Sequence, residues 1–372
     1  MRLCHLADSH LGAGAASSKR GEQGLTLRQA DMVKAFTEAV DRIIELKPDL
    51  CVHAGDLFDS VRPLNRIMAI AARQLHRLAA EAGIPTVVIA GNHDAPKQPQ
   101  LGAALEVFEP IDNLHIAASG KLERFEFGRT TIHALPHCLT GRHLQEQLAD
   151  CRPQSSSRFN VLVTHGVVAG MPEFSMADLG EQELPRQLLD MFDYVALGHY
   201  HNYKRVTDRA CYSGSTERLS QAERASKKGF VEVDLAHFGI VFHEVSTRSM
   251  VDLPTIDAKG KRGDELMLMI SDRMEQLDGA DKIVRLKVTG VSEETLKTIP
   301  SQEVAALKEK SFDLNLRFER QTDADHAADS LSRRFTGRLD HGFLEFLETV
   351  DLTGFDRDRL KRLAIEYLRA AE

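Results

Sequence analysis

The stretch Leu50-Cys51-Val52-His53-Ala54-Gly55-Asp56-Leu57-Phe58-Asp59 decides the fold. A short apolar run stops abruptly against a glycine and two acids. Runs of this length bounded by turn-forming residues read as strands, and a run without polar alternation reads as a strand buried on both faces. The pattern repeats in both directions. Residues 3–6 precede Asp8-Ser9-His10, and residues 86–90 precede Gly91-Asn92-His93-Asp94. Residues 161–164 precede His165-Gly166, and residues 194–197 precede Gly198-His199-Tyr200-His201. Between the strands lie helical patterns. Val33, Phe36, Val40, Ile43 and Ile44 fall on one stripe, and a second helical stretch over about 66–81 is stopped by Gly83-Ile84-Pro85. Strands alternating with helices imply a layered α/β core, whose ligands bind beyond the carboxyl ends of the strands. Every polar cluster falls there.

The pattern changes near residue 250, where 248–254 reads as a connection. From residue 265 the sequence predicts a helix, a strand over 283–288, helices over Glu293–Thr298 and 303–308, and a strand over 313–318, together a small α+β unit. Residues 321–341 are polar and read as a linker or a flexible helix. Two short amphipathic helices, 343–350 and 357–371, follow it. The expected division is therefore 1–250, 251–320 and 321–372.

Composition narrows the function classes. The 372 residues carry a formal net charge of −8, which is not the footprint of a general nucleic-acid binder. Any contact with nucleic acid would have to be local, through a bound ion or basic patches. No run of about 18 apolar residues marks a membrane span. The first residues, Met1-Arg2-Leu3-Cys4-His5-Leu6, lack a signal-peptide pattern, so a cytoplasmic protein is expected. Five cysteines without a C-x-x-C pair argue against a disulfide framework or a structural zinc site, and Cys4 and Cys51 read as buried thiols.

Each cluster alone is weak, because a histidine after a strand is usually a hydrogen-bonded surface residue. Five in order, each at a strand end, form a joint signal. Carboxylate and amide oxygens mixed with imidazole nitrogens suit Mn²⁺, Fe²⁺ or Zn²⁺ better than Ca²⁺ or Mg²⁺. Two such ions about 3.5–4 Å apart require a carboxylate that bridges them. Asp56 is the natural bridge, because Gly55 permits a tight turn and leaves room for metal.

These blocks resemble the calcineurin-like metallophosphoesterases, and within them the SbcD-type DNA double-strand-break repair nucleases. The resemblance is carried by His53-Ala54-Gly55-Asp56-Leu57-Phe58-Asp59, by Ile89-Ala90-Gly91-Asn92-His93-Asp94 and by Tyr212-Ser213-Gly214-Ser215-Thr216-Glu217-Arg218. It covers residues 1 to about 245 well and the following unit more weakly. It implies a double-layered β-sandwich flanked by helices, a small α+β capping domain and a helical C-terminal tail. It also implies that Asp8, His10, Asp56 and His201 hold one metal ion, and Asp56, Asn92, His165 and His199 a second, with Mn²⁺ as the expected ion. His93 would donate a proton to the leaving oxygen, and Asp59 would orient His93 by a hydrogen bond. The implied activity is Mn²⁺-dependent exonuclease and structure-directed endonuclease cleavage of DNA. The implied partner is a coiled-coil ATPase of the SbcC type, bound through the C-terminal helices. A homodimer through helices of the first domain is also implied, with Leu64, Ile67, Met68 and Ala71 as candidate contacts or as core. Protein phosphatases of the superfamily carry Val-Asp-Arg-Gly in the second block, where this chain has Phe58-Asp59-Ser60-Val61.

Two rival functions share parts of this sequence signal. A phosphoesterase acting on nucleotides or phosphoproteins would use the same ligands, but would need neither a capping domain nor a tail. A non-catalytic scaffold would have no chemical need for so many converging polar residues. Of the remaining residues, His53 is expected to pack or bond locally and His137 to support the site from outside. Lys204, Arg205 and Arg218 are candidate phosphate contacts, and Lys19, Arg20 and Arg28 are candidate substrate contacts.

Overall fold

The computed structural model describes residues 1–14, 19–21, 24–96, 98, 101–171, 181–277, 281–320 and 361. Strands are numbered β1–β17 and helices α1–α6 in chain order. The first sheet has the order β14-β13-β1-β2-β3-β4. It comprises β1 (Arg2–Leu6), β2 (Leu50–His53), β3 (Thr86–Ile89), β4 (Leu114–Ala117), β13 (Gly229–Asp234) and β14 (Gly239–Glu244). The second has the order β11-β12-β10-β7-β6-β5. It comprises β5 (Glu123–Phe127), β6 (Thr130–Leu135), β7 (Phe159–His165), β10 (Tyr194–Gly198), β11 (Lys204–Thr207) and β12 (Ala210–Tyr212). In each sheet the four strands β1–β4, or β6, β7, β10 and β12, run parallel, and the remaining strands are antiparallel at the edges. A small pair, β8 (Val167–Val168) and β9 (Glu183–Leu184), follows β7.

The two sheets pack face to face. Leu3, Leu50, Val52, Val87 and Ile89 from the first meet Ile132, Val161, Val163, Tyr194 and Ala196 from the second in one buried cluster. The alternate residues Cys4, Cys51 and Val88 point the other way, against α1 (Leu27–Leu46) and α2 (Asn65–His76). Leu162, Val195 and Leu197 face α3 (Gly141–Asp150). With both faces covered, most positions of these strands are apolar, so the sequence shows near-continuous runs rather than alternation.

The helix ends have local causes. Thr26 caps α1: its Oγ1 accepts from Gln29 N at 3.1 Å, and Gln29 Oε1 accepts from Thr26 N at 3.0 Å. Lys47, in the left-handed region at φ 49°, ends it. The helical pattern expected to reach residue 81 does so, but its last turn, Arg77–Glu81, widens to a π-turn in which Ala82 N bonds Arg77 O.

The chain forms two compact units. One comprises Met1–Asp252, Gly279–Arg285 and Lys308–Asn315, and the other the remaining residues from Leu253 onward. The α+β portion holds the sheet β15-β16-β17 (Met250–Asp257, Ile283–Val291, Asp313–Arg320) with α4 (Gly263–Glu275), α5 (Glu293–Thr298) and α6 (Ser301–Glu309). The connection expected at 248–254 is largely strand β15. Pro254 lies within it, and β15 is an edge strand, the position in a sheet where proline is tolerated. The two expected C-terminal helices lie outside the described residues, apart from the helical position Lys361. Among the described residues no helix is long and apolar enough to cross a membrane. All five cysteines are buried free thiols.

Candidate metal centre

Both sheets deliver side chains to one place. The first sheet contributes Asp8 and His10 after β1, Asp56 after β2, and Asn92 and His93 after β3. The second contributes His165 at the end of β7, and His199 and His201 after β10. The backbone turns sharply to do this. Asp8 (φ 52°), His10 (φ 42°), Asp56 (φ 53°) and His199 (φ 103°) all occupy the left-handed region, which bulky residues avoid. Strain of this kind persists only where surrounding structure enforces it, and it concentrates at functional sites. Glycines permit the close approach. A Cβ on Gly55, itself at φ 91°, would stand 2.9 Å from Gly91 N and 2.5 Å from His165 Nδ1, and one on Gly91 would overlap the Asp56 carboxylate.

Asp56 lies at the centre. Its Oδ2 is 3.6 Å from His10 Nε2 on one side and 3.3 Å from His165 Nε2 on the other, and its Oδ1 accepts from His93 N at 2.8 Å. Three groups of donors converge closely enough to share an ion: Asp8, His10 and His201; His10, Asp56 and His93; Asp8, Asp56 and His165. Asn92 Oδ1 is 2.8 Å from His165 Nε2 and 3.3 Å from His199 Nδ1, and His199 N donates to both oxygens of Asp8 at 2.9 and 3.1 Å. The seven residues expected as ligands therefore come together.

The imidazoles are oriented from behind. His165 Nδ1 donates to the Ala54 carbonyl at 2.9 Å, and His10 Nδ1 is 3.1 Å from Asp59 Oδ1. With Nδ1 as donor, each neutral ring turns a lone pair on Nε2 toward Asp56. His165 Nε2 then faces two oxygens and no donor, and His10 Nε2 is buried without a hydrogen-bond partner. Such atoms are costly to bury unless something electropositive, a proton or a metal ion, sits between them. The donor set and these atoms fit divalent cations.

Charge follows the same geometry. Burial raises the Asp56 carboxyl, but His165, His10 and His93 outweigh it and hold the group well below the ordinary carboxylate range. Burial lowers His165, yet Asp56 more than reverses this and lifts it to about 9. His199 falls to about 3 through burial and the neighbouring His165.

One expected role changes. The Asp59 carboxylate does not orient His93; it faces His10. His93 Nδ1 donates instead to the Asp59 carbonyl at 2.9 Å. The reason is the chain path after Asp56: Leu11 and Phe58 form a parallel bridge and Asp59 N bonds Leu11 O at 3.2 Å, which lays Asp59 alongside His10.

Other candidates sort clearly. His53 bonds Ser9 Oγ at 2.9 Å and is buried. His137 borders a cleft of about 410 Å³ beside the centre, and burial followed by the charge of His165 lowers it to about 4. Arg28 is buried against Asp31, and Arg218 bonds Thr247 Oγ1 and Arg248 O, so both guanidinium groups are engaged in the protein itself. Arg20 Nη1 donates to Gly24 O, and Lys19 Nζ donates to Lys308 O and Ser311 O. Arg205 is exposed and pairs weakly with Asp208.

Sequence reasoning assigned no role to three residues. The buried Asp94 accepts from Leu57 N, Phe58 N and Gly91 N, tying the loop of Asp56 to that of Asn92. Burial and the nearby Asp56 push it up to about 7. Glu223 and Lys228 form a buried pair behind His201. The charged run Glu223-Arg224, Lys227-Lys228 gives no sign of this, because a buried lysine and a solvated one look alike in sequence.

A double-layered α/β sandwich with a dinuclear-type cluster at its strand ends defines a metallophosphoesterase. The model of the calcineurin-like phosphoesterase family matches residues 1–217, and the chain belongs to that family. It is also similar to proteins described as "DNA double-strand break repair protein Mre11" from three archaea. The protein from Sulfurisphaera tokodaii is 30% identical over 54% of this chain and 49% of its own. That from Methanosarcina acetivorans is 28% identical over 80% and 47%, and that from Methanococcus maripaludis 29% identical over 63% of each. The chain thus spans about half to three-fifths of the curated relatives it matches.

Proposed function

We propose that this chain is a DNA nuclease that hydrolyses phosphodiester bonds with two divalent cations, Mn²⁺ in the native protein. The single observation that carries the reading is the position of Asp56, whose one oxygen lies within reach of imidazoles from both sides of the cluster. Asp8, His10, Asp56 and His201 would hold one ion, and Asp56, Asn92, His165 and His199 the other. Two bound cations supply an acidified water and a clamp on the phosphate oxygens.

The protein's own groups do the rest. The carboxylates and imidazoles fix where the phosphate sits. His93 is exposed, and with its Nδ1 held by the Asp59 carbonyl its Nε2 is the atom turned to the leaving oxygen, to which the ring in its imidazolium form would give the Nε2 proton. Asp59 would strengthen His10 as a ligand by accepting from its Nδ1. DNA as substrate rests on the names of the relatives and on the α+β portion that follows the phosphoesterase domain. Residues 321–372 are proposed to tether and dock a coiled-coil ATPase partner of the SbcC type. A homodimer would use Leu64 and Met68, which are exposed and half-buried, whereas Ile67 and Ala71 belong to the core.

The test is Mn²⁺-dependent cleavage of end-labelled duplex and hairpin DNA beside a nucleotide phosphodiester. Greater turnover on DNA is expected. Turnover on the small ester alone would assign the rival phosphoesterase function, and absence of any hydrolysis with no bound metal would assign a scaffold.

A further inference from the structure

Behind His201 lies a charged pair that the reaction itself does not require. Lys228 has a fully buried side chain, and its ammonium has three partners: the His201 carbonyl at 2.7 Å, Ser215 Oγ at 2.9 Å and Glu223 Oε2 at 2.6 Å. Those three bonds use all three of its donors. Glu223 is held as firmly. Its oxygens accept from Leu219 N at 3.2 Å and Ser220 Oγ at 3.0 Å, and Oε1 stands 3.4 Å from His201 Nδ1. The pair therefore grips one residue twice, by its ring through Glu223 and by its main chain through Lys228. Ser215 N, bonded to the same carbonyl at 3.0 Å, completes the grip.

We infer that Glu223 and Lys228 are positioning residues that aim His201 Nε2 at the Asp8–His10 side of the centre and set the affinity of the ion bound there. This rests on the two-cation reading of the site and adds to it a determinant of one half. Stability alone is a poor reason to keep such a pair, since a buried ion pair gains little over well-packed apolar groups of the same size. A carboxylate behind a ligating imidazole, by contrast, fixes its tautomer and raises its basicity. The arrangement is one-sided, because His165, in the other half, is held by the Ala54 carbonyl.

The test uses the full chain, stripped of metal and titrated with Mn²⁺ by calorimetry, with thermal unfolding recorded alongside. Glu223→Gln keeps the shape and removes the charge. It is expected to weaken one of two Mn²⁺ equivalents by about 10–100-fold, leave the other unchanged, and lose DNA cleavage that returns at high Mn²⁺ with kcat largely restored. Glu223→Asp should recover part of the lost affinity. Lys228→Met provides a second variant, expected to weaken the same equivalent. An unchanged titration in Glu223→Gln, or equal weakening of both equivalents, would overturn the inference while leaving the two-cation site intact. A wild-type chain that binds no Mn²⁺ would overturn both.

Discussion

The two halves of the centre hold their imidazoles by different means. On one side His10 and His201 are backed by the carboxylates of Asp59 and Glu223. On the other, His165 is backed by the Ala54 carbonyl, and its own carbonyl accepts from Gln182 Nε2 at 2.9 Å. Ala54 is itself pinned, its N–H bonding Leu6 O at 2.7 Å. A side-chain brace adds charge, and a half-exposed one such as Asp59 can be changed without disturbing the fold. A main-chain brace is part of the sheet connection and cannot. The comparison predicts that one ion can be tuned separately from stability and the other cannot.

The strongest way to break the comparison is to remove what both halves share. Asp56→Asn takes the central charge away from His10 and His165 together. Metal analysis of the purified variant is expected to show loss of both ions, each weakened by more than ~100-fold, since even partners behind a ligand are worth 10–100-fold. DNA cleavage should fall below detection. Retention of one ion at wild-type affinity would show that the halves are independent. His93→Gln separates holding from chemistry: both ions are expected to stay, while cleavage falls by about 10²–10⁴-fold, the usual contribution of a positioned proton donor. Full cleavage in that variant would remove His93 from the reaction.

The halves are then set directly against each other. Asp59→Asn is expected to weaken only the ion beside His10, by about 10–100-fold, with the melting temperature unchanged. Gly198→Ala addresses the other half. A Cβ there would overlap the Ala54 carbonyl that holds His165. The expected result is a combined loss, about 1–3 kcal/mol of stability together with weaker binding of the second ion. If Gly198→Ala left the melting temperature unchanged while binding fell, the distinction between the two kinds of brace would fail.

How much of this was legible follows from which forces shape which residues. The five strands before the ligands are visible because burial on both faces demands unbroken apolar runs, and the turn after each demands glycine or a small polar residue. The strands at the sheet edges carry mixed sequences such as Glu123-Arg124-Phe125-Glu126-Phe127, half-buried on alternate sides, and have no comparable mark. The convergence of the polar clusters was legible because their chemistry restricts residue type and each follows a strand. The braces were not. Asp59 offers both a carbonyl and a carboxylate, and only the bridge between Leu11 and Phe58 decides which one meets His93. Glu223 lies 22 residues beyond His201, and no spacing rule connects them.

The smallest effect is expected at an imidazole with no ion to hold, which serves as the control for both halves. His5, in β1, bonds the Tyr194 hydroxyl at 2.9 Å across the two sheets, and Tyr194 in turn meets Cys211 Sγ. Burial, reinforced by the nearby His53, lowers His5 from 6.5 to about 3. The folded protein thus favours the neutral ring, while the unfolded chain takes up a proton below 6.5. The contribution of His5 is complete above pH 6.5 and lost as pH falls from there toward 3, at about 1.4 kcal/mol per pH unit. His5→Asn should flatten the fall in unfolding free energy from urea titrations between pH 6.5 and 5 by up to about that slope, with Mn²⁺ binding and cleavage at neutral pH unaltered. A change in metal affinity would mean that the sheet interior, and not only the braces at its edge, sets the geometry of the centre.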